Sequence, residues 1–200
     1  MLFQMNQQMV SVKFKIKKIK NVYLRMEKGE LILSTNKLLT NEEIVSILQK
    51  HSKWIESQLI NYANLACSEN EILIFGKKQE IKRVSNNHID EDKNMIKQTA
   101  LKEVEQIFRV LEKKWGYQNC RLQFSKLKTK WGICYFKKQK IVLNEAIFQL
   151  PIYLIEYIIL HELTHFEVHN HSKYFYQKLA LKNYNIKNNK VDLAKYNCIL

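Results

Sequence analysis

Residues 157–165 read Tyr157-Ile158-Ile159-Leu160-His161-Glu162-Leu163-Thr164-His165. A strongly apolar run leads directly into a His-Glu pair, and a second histidine stands four positions after the first. Residues four apart stack on one face of an α-helix, so two imidazoles can take adjacent corners of a zinc ion while Glu162, one step round, reaches its water. The apolar run buries such a helix and carries its polar groups inside, where they need partners. A metal satisfies them, whereas ordinary histidines on an amphipathic helix leave that burial unexplained. Rough residue frequencies put a chance match to the pattern at about one in a hundred for a chain of this length.

Zinc hydrolases need a third protein ligand and one open position. The candidates are His169, His171 and an acidic side chain farther along. If the helix continued, His169 would lie about 12 Å along the axis from His161, too far to share an ion. His171 can reach back if the helix ends just before it, and Asn170 is the non-glycine residue most able to take the left-handed turn such an ending requires. The expected ligands are therefore His161, His165 and His171, with Glu162 as general base. His169 is then an exposed or supporting residue. Glu167 points off the metal face into solvent.

Working outward, Pro151 sits where proline is tolerated, in the first turn of the helix that carries Leu154, Ile155, Ile158, Ile159 and Leu163. Short extended segments precede it at Arg121–Phe124, Trp131–Tyr135 and Lys140–Leu143. Before them Ile96, Ala100, Val104, Ile107, Phe108, Leu111 and Trp115 mark a long helix stopped near Gly116. The polar stretch Ser85–Asn94 has linker character and places a domain boundary near residue 90. Upstream, Val10 to Lys17 alternates apolar and polar with its lysines outward, and Val22–Met26 and Leu31–Leu33 flank a turn at Lys28-Gly29-Glu30. Thr40 and Glu43 form a capping box for one helix of about five turns, and Glu71–Val84 reads as a hairpin around Gly76-Lys77. The expectation is an α+β chain: a small basic antiparallel β-rich domain with one helix over residues 1–90, then a catalytic domain over residues 91–200.

Composition narrows the class. The chain has 200 residues, 46% hydrophobic and 11% aromatic, with 4 Gly and 1 Pro, which excludes disordered, collagenous and low-complexity proteins. The most apolar window, Ala146–Leu160, is shorter than the roughly 20 residues of a membrane span and is broken by Pro151 and Glu156, so no membrane association is expected. The first residues lack a secretory pattern and the cysteines form no C-x-x-C pair, so a cytoplasmic protein with reduced thiols is expected. With 33 Lys+Arg against 19 Asp+Glu the net charge is +14, and residues 11–30 hold seven Lys/Arg against two Glu. That surplus raises weak nucleic-acid binding through the amino-terminal domain as a partner hypothesis.

His161-Glu162-Leu163-Thr164-His165, then Asn170-His171-Ser172 and Phe175, resembles the H-E-L-x-H…N-H-S-x-x-F signature of the YgjP-like metal-dependent hydrolases, a zincin-type metallopeptidase family. Lys128-Thr129-Lys130-Trp131-Gly132-Ile133-Cys134 resembles the family's T-R-W-G-S-C element, with Ile133 where Ser is usual and Lys130 where Arg is common. Ile141-Val142-Leu143-Asn144 resembles its I-x-L-N strand, and the amino-terminal strands, helix and Phe75-Gly76-Lys77 turn follow the family's order. The resemblance implies a zincin-like domain whose H-E-x-x-H helix packs on a small sheet, one Zn²⁺ per chain, and a peptide or protein substrate held along an exposed strand edge, for which Lys140–Asn144 is the candidate, an ordinary interior strand being the other reading of those residues. Trp131 and Gly132 are expected to pack beside the site, Trp131 as a structural residue. A metzincin is excluded by Val168, which stands at the position of their glycine, and by the five Met residues, all of which precede the motif. Two alternatives stand beside the peptidase. One is a metal-dependent hydrolase of nucleotide phosphoanhydrides, for which no Gly-rich phosphate loop is present. The other is a nucleic-acid-binding module or DNA-associated protease built on the basic amino-terminal sheet.

Overall fold

The alternation from Val10 onward becomes the second strand of a mixed sheet. The computed structural model describes residues 2–5, 8–27, 29–81, 89–183 and 185–199. Within them the chain divides into two compact units, Met1–Ala66 with Lys195–Leu200, and Cys67–Ala194. The polar stretch read as a linker lies partly outside the described residues, as do Lys28 of the first turn and the end of the Glu71–Val84 hairpin. The structural division falls at Ala66–Cys67, so that hairpin belongs with the second unit, not with residues 1–90.

In the first unit, strands β1 (Leu2–Met5), β2 (Gln8–Ile16), β3 (Tyr23–Glu27) and β4 (Glu30–Thr35) form a sheet in the order β1-β2-β4-β3. The sheet is not wholly antiparallel as expected: β2 pairs parallel with β4, Val12 opposite Leu31 and Phe14 opposite Leu33. The hairpin of β3 and β4 forms as read, but its second strand takes the central place. Leu31, Ile32 and Leu33 are all buried, the consecutive apolar run of a strand covered on both faces, whereas β3 buries only Met26 and lies at the edge. Thr40 caps the next helix as expected, its hydroxyl accepting from Glu43 N–H while Glu43 accepts from Thr40 N–H. That helix is two, α1 (Asn41–Lys50) and α2 (Ser52–Leu65), because the chain leaves helical geometry at His51 (φ −108°, ψ 14°). Ile44, Leu48 and Ile55 close this unit's core against Val10, Val12, Met26, Leu31 and Leu33.

The second unit opens with the hairpin β5 (Glu71–Ile74) and β6 (Lys77–Glu80). Its two-residue turn has φ 49° at Phe75 and 78° at Gly76, the doubly left-handed geometry that matches the twist of paired strands. The turn's N–H groups donate to Phe148 and Gln149 carbonyls, and a Cβ on Gly76 would stand 2.6 Å from Pro151 Cγ. Helix α3 (Ile89–Lys114) buries Ala100, Leu101, Val104, Phe108 and Leu111. A three-stranded sheet follows, β7 (Arg121–Ser125), β8 (Gly132–Tyr135) and β9 (Lys140–Asn144), in the order β7-β9-β8. Strand β9 is therefore the centre of this sheet and not the exposed edge expected of it; Ile141 to Asn144 are all buried. Among the described residues the edge strand beside the next helix is β8, which pairs with β9. Helix α4 (Ile152–Thr164) buries nine of its residues, as a helix covered on several sides must, and α5 (Lys173–Lys182) and α6 (Ile186–Lys195) follow. Among the described residues no helix is long and apolar enough to cross a membrane.

Candidate metal centre

His161 lies in the last turn of α4 and His165 caps it, so helical spacing alone brings their rings to 5.0 Å between centroids. The helix ends at Thr164, earlier than expected. Phe166 and Glu167 N–H groups donate to carbonyls three residues back, tightening the last turn. Asn170 takes no left-handed conformation; its side-chain oxygen accepts from Ser172 N–H, and Ser172 in turn caps α5 by accepting from Phe175 N–H. The early ending leaves a short loop that returns His171 to the first two histidines.

The three imidazoles each offer a nitrogen, all within 4.8 Å of one another. His171 Nε2 faces His161 Nε2 at 2.9 Å, and the His171 ring stands 4.8 Å from that of His165. His169 is outside this cluster: its Nδ1–H donates to the His165 carbonyl and its ring stacks on Phe136 at 3.7 Å. Phe175, fully buried, lies beneath the cluster with its centroid 4.9, 4.6 and 5.0 Å from those of His161, His165 and His171. The Val168 carbonyl accepts from His165 Nδ1–H at 3.1 Å, which leaves Nε2 with its lone pair free for a ligand bond.

Burial, the neighbouring imidazoles and Lys190 depress His161 to about 3; burial leads the depression of His165 and His171 as well. Three neutral imidazoles with converging lone pairs form a donor set that repels itself when empty and suits a borderline-soft divalent ion such as zinc. The residues present fit a metal.

Glu162 is 7% exposed, on the same helix. Burial raises its carboxyl to about 7 against the opposing pull of Lys130 and of the Cys134 N–H, which donates to it. It rests on the backbone of β8: a Cβ on Gly132 would lie 2.7 Å from Glu162 Cγ and 2.8 Å from Oε1. Cys134 follows Gly132 on that strand, its thiol raised to about 12 by burial and by the Glu162 charge. A cavity of about 480 Å³ spans the histidines, Glu162 and residues 129–134, so the two sequence blocks that carry chemistry meet there.

Glu167 is not simply solvated. Burial would raise its carboxyl, but hydrogen bonds from Lys182, Tyr117 and Lys178 outweigh that and hold it at about 2. These partners lie 15, 50 and 11 residues away, beyond any local pattern. Phe175, in contrast, was visible as part of the N-H-S-x-x-F block, where its spacing from His171 carries the signal.

The family profile described as "YgjP-like, metallopeptidase domain" matches residues 20–97 and 86–195. No curated protein matches the chain. A solved structure, the metallopeptidase zymogen of Pyrococcus abyssi abylysin, is similar at 24% identity and a TM-score of 0.41, over 45% of this chain and 90% of that one. With the family profile spanning the histidine cluster, the Gly132 strand and most of the amino-terminal unit, the chain belongs to the YgjP-like metallopeptidase family.

Proposed function

We propose that the chain is a zinc-dependent peptidase in which His161, His165 and His171 hold one ion and Glu162 is the general base. The observation that carries this reading is the convergence of three imidazole nitrogens within 4.8 Å beside a buried carboxyl on the same helix. A bound zinc ion supplies Lewis acidity, which makes water a nucleophile near neutral pH and polarises a carbonyl. Glu162 takes the proton of the attacking water on its carboxylate and returns it to the nitrogen of the leaving amine. The Cys134 N–H and the Gly132 backbone hold that carboxylate in one orientation, and Phe175 packs against all three rings.

An extended peptide fits the free edge of β8, which among the described residues pairs only with β9. Pairing there reads backbone more than side chains. The contact of Gly132 with Glu162 supports the zincin-like arrangement, an H-E-x-x-H helix packed on a small sheet, with residues 67–194 as the catalytic unit and the basic strands before it as a separate one. A cytoplasmic location belongs to the same reading and is consistent with Cys67, Cys120 and Cys134 standing outside any disulfide. In the amino-terminal unit Lys13 pairs with Glu30, and Lys15 and Arg25 with Glu27, so part of the lysine row that suggested nucleic acid is already neutralised.

The test combines metal analysis with turnover of a mixed fluorogenic peptide library. About one zinc per chain is expected in the parent protein, lost in His171→Ala. Glu162→Gln is expected to retain zinc and lose turnover. Undiminished turnover in Glu162→Gln overturns the assignment of the base. Nucleoside triphosphate hydrolysis that vanishes in Glu162→Gln, with no peptide cleavage by the parent, replaces the peptidase with the phosphoanhydride hydrolase.

A further inference from the structure

The three candidate ligands come from two pieces of chain. His161 and His165 belong to the end of α4, and His171 to the loop that opens α5. Their convergence depends on what holds that loop, and the holding contacts come from the far end of α5. Lys182 Nζ donates to Glu167 Oε1 at 2.5 Å, to Tyr117 OH at 2.6 Å and to Thr164 Oγ1 at 3.4 Å. Its side chain is 6% exposed. An ammonium has three N–H donors, and all three are engaged.

The acceptors are themselves committed. Thr164 Oγ1 donates to the Leu160 carbonyl at 2.7 Å, Tyr117 OH donates to Glu167, and Lys178 meets the second Glu167 oxygen at 3.2 Å. Thr164 and Glu167 bracket His165 by one and two residues. The Thr164 carbonyl accepts from both Glu167 and Val168 N–H, and the Val168 carbonyl then accepts from His165 Nδ1–H. Hydrogen bonds thus link a buried ammonium, through the side chains of Thr164 and Glu167 and the backbone of residues 164–168, to the ring of a candidate ligand.

We propose that Lys182 is a positioning residue of the metal centre. By anchoring the Thr164–Glu167 turn to α5 and to Tyr117, it fixes the orientation of His165 and the span of the loop that presents His171. The inference rests on the assignment of these histidines as ligands. A buried ammonium with three acceptors resists replacement by an apolar group, because Glu167 and Tyr117 are then left without their central donor.

The test measures zinc affinity by chelator competition and the visible d–d spectrum of the cobalt(II)-substituted protein, for the parent, Lys182→Met, Lys182→Arg and Tyr117→Phe, with thermal unfolding alongside. Outer-shell substitutions cost about 10–100-fold in metal affinity. Lys182→Met is expected to lose zinc affinity in that range with an altered cobalt spectrum, Tyr117→Phe to lose less, and Lys182→Arg to restore both toward the parent. If Lys182→Met fails to fold, Tyr117→Phe decides on the same two readouts. Parent-like zinc affinity and cobalt spectrum in the folded variant, with only the melting temperature lowered, overturn the inference and leave Lys182 a structural residue. A parent protein that binds neither ion removes the ligand assignment itself, and this inference with it, a result distinct from the previous one.

Discussion

Replacing Gly132 with alanine puts a methyl carbon 2.7 Å from Glu162 Cγ, 2.8 Å from Oε1 and 2.9 Å from Cδ. Carbon atoms in contact settle at about 3.5–4.0 Å, so the Glu162 side chain must withdraw by roughly an ångström or β8 must bend away. Withdrawal is confined, because Glu162 is 7% exposed and α4 is buried along most of its length. Gly132 is not in the left-handed region, so alanine is tolerated by the backbone itself and the effect is steric. Displacing a catalytic group by about 1 Å costs on the order of 100-fold in rate, equivalent to about 2.7 kcal/mol of transition-state stabilisation. The overpacking costs about 1–3 kcal/mol of stability, partly offset by the lower entropy of the unfolded alanine chain. Peptide turnover in Gly132→Ala is therefore expected to fall about 100-fold in kcat/KM while zinc content stays at the parental level. The assignment can be isolated with a cycle: Glu162→Asp shortens the crowded side chain, so adding Gly132→Ala to it should cost much less than in the parent. Turnover within twofold of the parent in folded, zinc-loaded Gly132→Ala, or equal losses in both backgrounds, would refute the reasoning.

Other perturbations separate the centre from its scaffold. Phe175→Ala removes a fully buried ring that touches all three imidazoles; about 3–5 kcal/mol of stability should be lost by denaturant titration, with weaker zinc retention under dialysis against chelator. Thr40→Ala breaks the capping box of α1 and should lower the stability of the amino-terminal unit by about 1 kcal/mol with no change in zinc content. Burial, and then the Glu112 carboxylate beside it, push the Cys120 thiol up to about 12, so at pH 8 only about one molecule in ten thousand carries the thiolate that an alkylating reagent attacks. Native Cys120 should resist alkylation at pH 8 and gain rate steadily as pH rises towards 12, while the unfolded chain reacts within the ordinary thiol range; mass spectrometry of the labelled peptide reads both.

The elements that could be read locally are the ones whose determinants are local. Val10 to Lys17 announces a half-wet strand by alternation, and Thr40 with Glu43 announces a helix start, because both signals lie within a few residues. Strand partners are set by contacts across the sheet, which a local pattern does not record. The hairpin that pairs Leu31-Ile32-Leu33 with Leu24–Met26 is read correctly, but that strand, like Ile141-Val142-Leu143, also pairs on its other side and lies in the interior of its sheet. Both are continuous apolar runs, which a strand wetted on one face does not need. Weighing that run against alternation would have placed both strands correctly. The break at His51 has no comparable signal, since the apolar residues on either side of it, Leu48 and Ile55, keep helical spacing and enter the same core.

The centre divides along the same line. His161, Glu162 and His165 are legible because helical geometry alone makes neighbours of residues four apart, and His171 because only a short loop separates it from the helix. The helix end was misjudged by several residues, yet His171 still arrives, since what the loop must do is return, whichever residue begins it. The groups that hold this arrangement are of another kind. Gly132 acts by having no side chain, so only the resemblance of its sequence block places it beside the site, and Lys182 and Tyr117 act across 18 and 65 residues on partners within the helix end and on each other. A ligand must be one of a few residue types, whereas a support needs only the right shape or one donor in the right place. The chemistry of such a centre is therefore written in residue identities, and its precision in distances that appear only when the chain is folded.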